Sequence, residues 1–340
     1  MNNKQPKRHL KKSVKTALII ALVVFVVLIA VIVITAVTKK KNTKPEKQEP
    51  TTDIYSLIPT EYVEPTYTHA DIPITDEDPV PSDNTNFLIK VNTALNVTTV
   101  YSRDDAGNLT PVKALACSTA REGYETPLGD FWLCEWIIKP SNEWCYMADG
   151  TQGLYAYRIT NGEIYDIMFH SVPYLDTDHG TLEWEEYNKL GSTASMGCMR
   201  MSCMDVRWLG ETCGNNTDIL IYNDPNEQLP LEKPVPIRIP AEVEEIRGWD
   251  PTDPASNNPW HNYTIKMEVP NYVELAAGDG AAQNIVLANT KVTDMYNHDL
   301  TSYAEVIGTY ETAKPGLYPV TVKAVVGPVT AEKEVYVVVK

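Results

Sequence analysis

Residues 169–209 read FHSVPYLDTDHGTLEWEEYNKLGSTASMGCMRMSCMDVRWL, and the second half of that stretch decides the fold. Ser195-Met196-Gly197-Cys198-Met199-Arg200 carries a thiol, and the pair His170-Ser171 lies 28 positions before it. If Cys198 to Met201 is extended, period-two alternation sets Cys198 and Arg200 on one face and Met199 and Met201 on the other. The nucleophile and the cation then share the cleft side, and the two thioethers fill core. Ser202, with Asp205 three positions on, reads as a capping box that opens a short helix through Trp208 and Leu209. Cys198 is therefore expected near a strand end, just before a tight return into a helix, a place that exposes a reactive atom.

A Cys with a sequence-distant His is a candidate nucleophile and base. The same two residues also fit a small buried hydrophobe and a satisfied polar side chain. The stretch resembles the L,D-transpeptidase catalytic domain family, whose signature is His-Ser or His-Gly, a spacer, then Ser-x-Gly-Cys followed by an apolar residue and Arg or Asn. His170-Ser171 matches the first element; Ser195, Gly197, Cys198, Met199 and Arg200 match the second, and Asp205 falls where many members carry Asp. Upstream, Thr126-Pro127-Leu128-Gly129-Asp130-Phe131, preceded by Cys117-Ser118-Thr119, is similar to the family's Thr-Pro-x-Gly-x-Phe stretch. Two features depart from the pattern. Met196 stands where many relatives have His, and the spacer is longer than usual. Its surplus, Asp176 to Leu190, predicts a helix from Leu182 to Leu190 with Trp184, Tyr187 and Leu190 in one row and Gly191 as its stop. An insertion beside a cleft is either a wall or lid, or a surface decoration.

Length leaves room for two domains and extras in 340 residues. Residues 1–15 read as a basic cytoplasmic tail and 16–38 as a transmembrane signal anchor. Ala17 to Val37 carries no charge, and at about 1.5 Å per residue it can cross a ~30 Å hydrocarbon core. It has no small-x-small cleavage site and no lipobox Cys, which favours a retained anchor over a cleaved peptide. Six basic residues precede it and five follow closely, so charge alone barely orients it. The resemblance orients it: N-terminus in the cytoplasm, catalytic part outside the cell membrane and facing the wall of a Gram-positive-type envelope. Beyond residue 47 the chain holds 18 basic and 44 acidic side chains, a balance of −26. That argues against nucleic acid as a partner and against a basic patch for anionic wall polymers.

Residues 39–83, rich in Pro, Thr, Asp and Glu, read as a stiff stalk. Residues 84–224 follow as the catalytic domain. Strands are expected at 87–92, 97–101, 112–117, 131–138, 154–159, 164–169 and 219–222, a mostly β pattern that reads as a sandwich. A second Pro-rich connector, 225–262, leads to a C-terminal module at 263–340. There Leu317–Val326 and Ala331–Val339 alternate around a Gly327-Pro328 turn. Asp299-Leu300-Thr301 followed by Thr312-Ala313-Lys314-Pro315-Gly316-Leu317-Tyr318 resembles bacterial immunoglobulin-like surface modules, which implies a spacer or wall-contact role. His298 has no evident partner in the sequence and reads as a surface residue.

The family resemblance implies peptidoglycan stem peptides as partners, 3-3 cross-links as the product, and neither a cofactor nor a metal. Cys198 would attack the carbonyl on the L-centre of the third residue of a tetrapeptide, the terminal D-Ala would leave, and an amine of a neighbouring stem would resolve the thioester. His170 would take the thiol proton or pair with a thiolate, with the Ser171 carbonyl steadying the ring. Backbone N–H groups around Gly197 and Cys198 would form an oxyanion hole. Arg200 would hold a carboxylate or brace the loop, and Tyr174 and Ser195 would line the cleft. Other readings are an L,D-carboxypeptidase or endopeptidase using the same acyl-enzyme, a silent wall-binding scaffold, and a soft-metal site built from Met196, Cys198, Met199, Met201, Cys203 and Met204.

All six cysteines fall between Cys117 and Cys213, in a region placed outside the cell, where disulfides persist. Cys134 and Cys145 flank Lys139-Pro140 symmetrically. A tight hairpin there would oppose them at Cα separations of roughly 4.5–5.5 Å, within bridging range. A helix would hold Cys203 and Cys213 about 15 Å apart, which leaves Cys117 as the partner for Cys213. A one-residue register slip would instead put Cys134 and Cys145 on opposite faces and leave all six reduced.

Overall fold

The computed structural model describes residues 54–137, 144–278 and 282–340. The basic tail, the Ala17–Val37 segment and the first part of the expected stalk lie outside the described residues. Among the described residues no helix is long and apolar enough to cross a membrane. The chain divides into Met1–Leu57 and a unit from Ile58 to Lys340, and the features below belong to the second.

The strands in chain order are β1 (Thr66–His69), β2 (Phe87–Asn92), β3 (Val97–Arg103), β4 (Leu109–Ala116), β5 (Gly129–Trp136), β6 (Cys145–Tyr146), β7 (Gln152–Gly153), β8 (Ala156–Thr160), β9 (Ile167–Ser171), β10 (Met199–Met201) and β11 (Asp218–Tyr222). Eight of them join in one sheet, in the order β10-β9-β8-β5-β11-β2-β3-β4. The expected sandwich is thus a single hydrogen-bonded path, mixed because β10 runs parallel to β9 and β11 parallel to β2. Period-two alternation explains its core face. Phe131, Ile219, Ile89 and Val100 fall in register across four adjacent strands, and all four are buried. Each such side chain contributes about 1.5–3 kcal/mol on leaving water.

The helix Cys203–Thr212 crosses this sheet with Cys203, Val206, Leu209 and Gly210 buried. Its start is the one expected: the Ser202 hydroxyl accepts from the Asp205 N–H at 3.3 Å. A second cap was not legible. Asp250, far along the chain, accepts from the Cys203 N–H at 2.9 Å.

C-terminal to the connector lie β12 (Ile265–Glu268), β13 (Tyr272–Leu275), β14 (Lys291–Asp294), β15 (Ala304–Ile307), β16 (Gly316–Val326) and β17 (Val329–Val339). The β16–β17 hairpin turns at Gly327-Pro328, as alternation predicts, with Val326 opposite Val329 and Gly327 at φ 56°. The edge of β17 away from β16 takes β1 (residues 66–69) along Val329–Glu332 and β13 along Tyr336–Val339. The β1 pairing departs from the stalk reading. Thr66, Tyr67, Thr68 and His69 satisfy the β17 backbone, so this part of the Pro-rich stretch is a sheet edge.

The connector also departs from a loose linker. Ile239, Val243, Ile246 and Trp260 are buried in a core continuous with both the eight-stranded sheet and β16–β17. Proline stiffens this segment without keeping its aliphatic residues in water. His298, read as an isolated surface residue, is paired. Its Nδ1 lies 2.9 Å from Asp294 and its Nε2 3.5 Å from Glu245 of the connector.

The disulfide expectations fail on topology. β5 pairs with β8 and β11, whereas Cys145 sits in β6, which among the described residues pairs with β7, so Cys134 and Cys145 are not opposed there. The turn expected between them lies outside the described residues. Cys117 and Cys213 are both buried, and all six cysteines are free thiols.

Candidate active site

The parallel register of β10 on β9 sets Arg200 opposite His170, and His170 opposite Ala156 of β8. These three form one row on one sheet face, while Met199, Phe169 and Tyr157 form the buried row behind it. The alternation expected of Cys198–Met201 is therefore present, with Met199 and Met201 fully buried. Cys198 immediately precedes β10. It is half-buried and packs beside a small apolar group of Cys145, Ala156 and Met168.

The turn that presents Cys198 is tightly determined. Gly197 has φ 128°, a backbone conformation that favours glycine, and a Cβ there would also crowd Ile167 Cδ1 at 3.1 Å. The Ser195 hydroxyl donates to the Cys198 carbonyl at 2.6 Å and accepts from the Gly197 N–H at 3.2 Å. Thr126 donates to the Gly197 carbonyl at 2.8 Å and accepts from the Ala120 N–H at 3.1 Å. On the flank away from β9, Ser118 exchanges both backbone hydrogen bonds with Arg200, at 2.8 and 2.9 Å. The Cys-Ser-Thr and Thr-Pro elements thus converge on the cysteine turn as its second wall. Thr126 is a site residue that the sequence reading quoted only as part of a motif.

His170 is buried, and its Nδ1 lies 2.7 Å from the Ser171 carbonyl. A carbonyl only accepts, so Nδ1 carries the proton and Nε2 is left with its lone pair. Burial, and then the Arg200 charge, pull the imidazole down to about 4, against the Ser171 carbonyl and Asp149. The Cys198 thiol is pushed up to about 11 by burial, with a Met168 backbone hydrogen bond and Arg200 opposing. Near neutral pH the two groups are a neutral thiol and a neutral imidazole. The thiol sulfur lies 3.8 Å from the Asp166 carbonyl.

Ser171 does more than turn the ring. Its hydroxyl accepts from the Leu154 and Tyr155 N–H groups at 2.9 and 3.3 Å and so fixes the entry to β8. Two expected cleft-lining residues are placed otherwise. Tyr174 is fully buried, with its hydroxyl 3.3 Å from Cys203 Sγ and its ring edge-on to Trp144, so it supports the floor from behind. Ser195 is buried in the turn itself. The Gly197 N–H, expected in an oxyanion hole, is given to Ser195. The soft-metal set is split, with Met199 and Met201 in the core and Met196 exposed, and no group of three or more His, Cys, Asp or Glu is poised for a metal among the described residues.

The insertion packs against the connector. In place of one helix it forms a 3-10 turn, His179–Thr181, and a single helical turn, Trp184–Tyr187. The turn stops because the Asn188 side chain is taken by Ile239 of the connector, accepting from its N–H at 2.8 Å and donating to its carbonyl at 2.7 Å. Leu182, Tyr187 and Leu190 are buried. Glu186 reaches Arg200, with Oε2 2.6 Å from Nη1.

The family profile for the YkuD L,D-transpeptidase catalytic domain matches residues 86–225. A Bacillus subtilis protein, YciB, named as an inferred L,D-transpeptidase, is 29% identical over 96 residues, covering 28% of this chain and 46% of YciB. A solved L,D-transpeptidase from Mycobacterium smegmatis shares 17% identity, covering 40% of this chain and 58% of its own, at a TM-score of 0.28. L,D-transpeptidase 3 from Mycobacterium tuberculosis, solved with a faropenem-derived adduct, shares 17% identity, covering 41% and 60% respectively, at a TM-score of 0.29. The chain spans about half the length of the relatives it matches.

Proposed function

We propose, from the match of residues 86–225 to the L,D-transpeptidase catalytic domain family model, that this chain is a cysteine acyltransferase acting on peptidoglycan stem peptides. The observation that carries the reading is the orientation of His170. Its Nδ1–H is spent on the Ser171 carbonyl, which leaves the Nε2 lone pair of a ring in row with Arg200 and with Ala156, a member of the apolar group that Cys198 packs beside. A ring held in that tautomer accepts a proton at one atom only.

The chemistry follows from the neutral pair. As Cys198 Sγ closes on the carbonyl carbon of the third stem residue, its proton passes to His170 Nε2. The Sγ–C bond forms, the amide to the terminal D-Ala breaks, and the proton leaves on the departing amine. An acceptor amine then attacks the thioester, His170 takes its proton, and the thiol is regenerated. The Cys198 N–H, at the head of β10, is the backbone donor proposed for the tetrahedral oxygen. With an amine as acceptor the product is a 3-3 cross-link; with water the same acyl-enzyme gives an L,D-carboxypeptidase or endopeptidase.

The uncharged Ala17–Val37 stretch supports a single-pass signal anchor that places the domain outside the membrane, toward the wall. The test is mass spectrometry of the protein incubated with a tetrapeptide donor, with and without an amine acceptor, and separately with a carbapenem. A Cys198 thioester and amine-dependent product are expected. A protein that forms neither is a wall-binding scaffold, and the proposal fails.

A further inference from the structure

Arg200 presents a problem that the family chemistry does not solve. It is a cation nine-tenths buried, in register with the proposed base and two positions from the proposed nucleophile. Its Nε has no hydrogen-bond partner. A buried charge in that position lowers the proton affinity of both His170 and Cys198 unless something offsets it. The chain supplies the offset from the insertion, the feature in which it departs from its relatives.

We propose that Glu186 is a positioning residue for the Cys198–His170 pair. Its carboxylate fixes the Arg200 guanidinium against the cleft floor, and the connector in turn fixes the helical turn that carries Glu186. The inference rests on the acyltransfer reading for its meaning, though not for its test.

The second half of the proposal is geometric. Leu182 donates to the Gly248 carbonyl at 2.7 Å, and His179 pairs with Asp253 of the connector. Arg238 donates to the carbonyls of Asn188 and Leu190 at 2.7 and 3.1 Å, and the Arg247 guanidinium stacks 5.1 Å from the Trp184 ring. A Cβ on Gly248 would lie 2.1 Å from the Gly180 carbonyl oxygen, so the two segments touch backbone to backbone. The Trp184–Tyr187 turn is held by these connector contacts, and the Glu186 carboxylate it carries is shared between Arg200 and Lys189. The charges facing this group are few. Glu183 and Asp149 act on Arg200 through space, Asp149 also on His170, and Lys189 pairs with Glu186 at 2.5 Å. Asp166 and Cys145 face Cys198. Of these carboxylates, Glu186 is the one bonded to the guanidinium, so neutralising it removes the charge that offsets Arg200, whereas Asp166 acts on the thiol directly.

The test uses the full chain and reads the thiol directly. Alkylation of Cys198 by iodoacetamide, followed by peptide mapping across pH, is compared for wild type, Glu186→Gln, Arg200→Gln and the double variant. With Glu186→Gln the uncompensated guanidinium favours thiolate, and labelling at a fixed pH below the thiol's midpoint should rise about three- to tenfold. Arg200→Gln should slow it, and the double variant should fall between the two. A general loss of packing moves both single variants the same way, whereas charge coupling moves them oppositely. With a tetrapeptide donor, Glu186→Gln should also shift the acid limb of kcat to lower pH with little change in KM. Should Glu186→Gln not fold, Glu186→Asp keeps the charge on a shorter arm that reaches the guanidinium less well, and its labelling should rise above wild type by less than the about three- to tenfold expected of Glu186→Gln, on the opposite side of wild type from Arg200→Gln. Same-direction shifts, or a Glu186→Gln profile superimposed on wild type, overturn the proposal. A wild-type protein that labels normally but never forms an acyl adduct overturns the acyltransfer reading and leaves this coupling standing.

Discussion

Thr126→Val removes one hydroxyl and keeps the shape of the side chain, so its effect isolates two hydrogen bonds. The hydroxyl donates to the buried Gly197 carbonyl at 2.8 Å and accepts from the Ala120 N–H at 3.1 Å. A buried polar group stripped of its partner costs about 1–3 kcal/mol. Gly197 is buried and takes the full cost, while Ala120 is half-exposed and recovers part of its loss from water. The sum for the variant is about 2–3 kcal/mol of folding stability. Function should fall further than stability. The Gly197 carbonyl anchors the peptide just before Cys198, and a displacement near 1 Å at a reacting atom costs about 100-fold in rate. The assay pairs urea denaturation with the rate of Cys198 acylation by a carbapenem. Thr126→Ser keeps both bonds and should acylate within a few-fold of wild type. A Thr126→Val protein with wild-type stability and wild-type acylation would refute the argument that this hydroxyl sets the cysteine turn.

Cys198→Ala should abolish acyl adduct and product, whereas Met196→His should leave a working enzyme, because the Met196 side chain is exposed; product analysis by mass spectrometry decides both. Truncation after Asp224, harmless if the C-terminal part were an independent module, should instead give a protein that fails to fold or loses turnover, since it deletes the Asp250 cap on Cys203 and the bonds from Ile239 to Asn188. Circular dichroism and turnover on a soluble donor read this, and a folded, active product would show the connector to be dispensable. Because His170 is depressed to about 4, acylation should hold from neutrality toward pH 4 and fall below it. The linkage sign agrees: the unfolded imidazole, near 6.5, gains a proton that the folded one refuses, so this group lowers stability progressively between pH 6.5 and about 4. A rate that halves near pH 6.5 would mean that the base is not this buried ring. Native alkylation and peptide mapping should find no bridge between Cys134 and Cys145, since their strands do not pair.

Features that depend on local order were legible along the chain. Alternation put Met199 and Met201 in the core and Arg200 on the cleft face, and Ser202 opened a helix where its hydroxyl could meet the Asp205 N–H. The paired valines of β16 and β17 and the glycine between them specified a hairpin. The motif residues His170, Ser171, Gly197 and Cys198 were visible as types at a spacing. Tertiary structure decided everything that required distant segments to meet. Asp250 caps a helix 47 residues away, Asn188 ends a helical turn by bonding Ile239, and His298 finds Asp294 and Glu245. Pairing between strands is a contest among many surfaces of similar hydrophobicity. Cys134 and Cys145 looked like hairpin partners, but β5 paired elsewhere. Proline content likewise described the stiffness of the 225–262 connector but not its burial. A proline-rich segment still carries Ile239, Val243 and Ile246, and whether they leave water depends on a neighbouring surface that the local sequence does not contain.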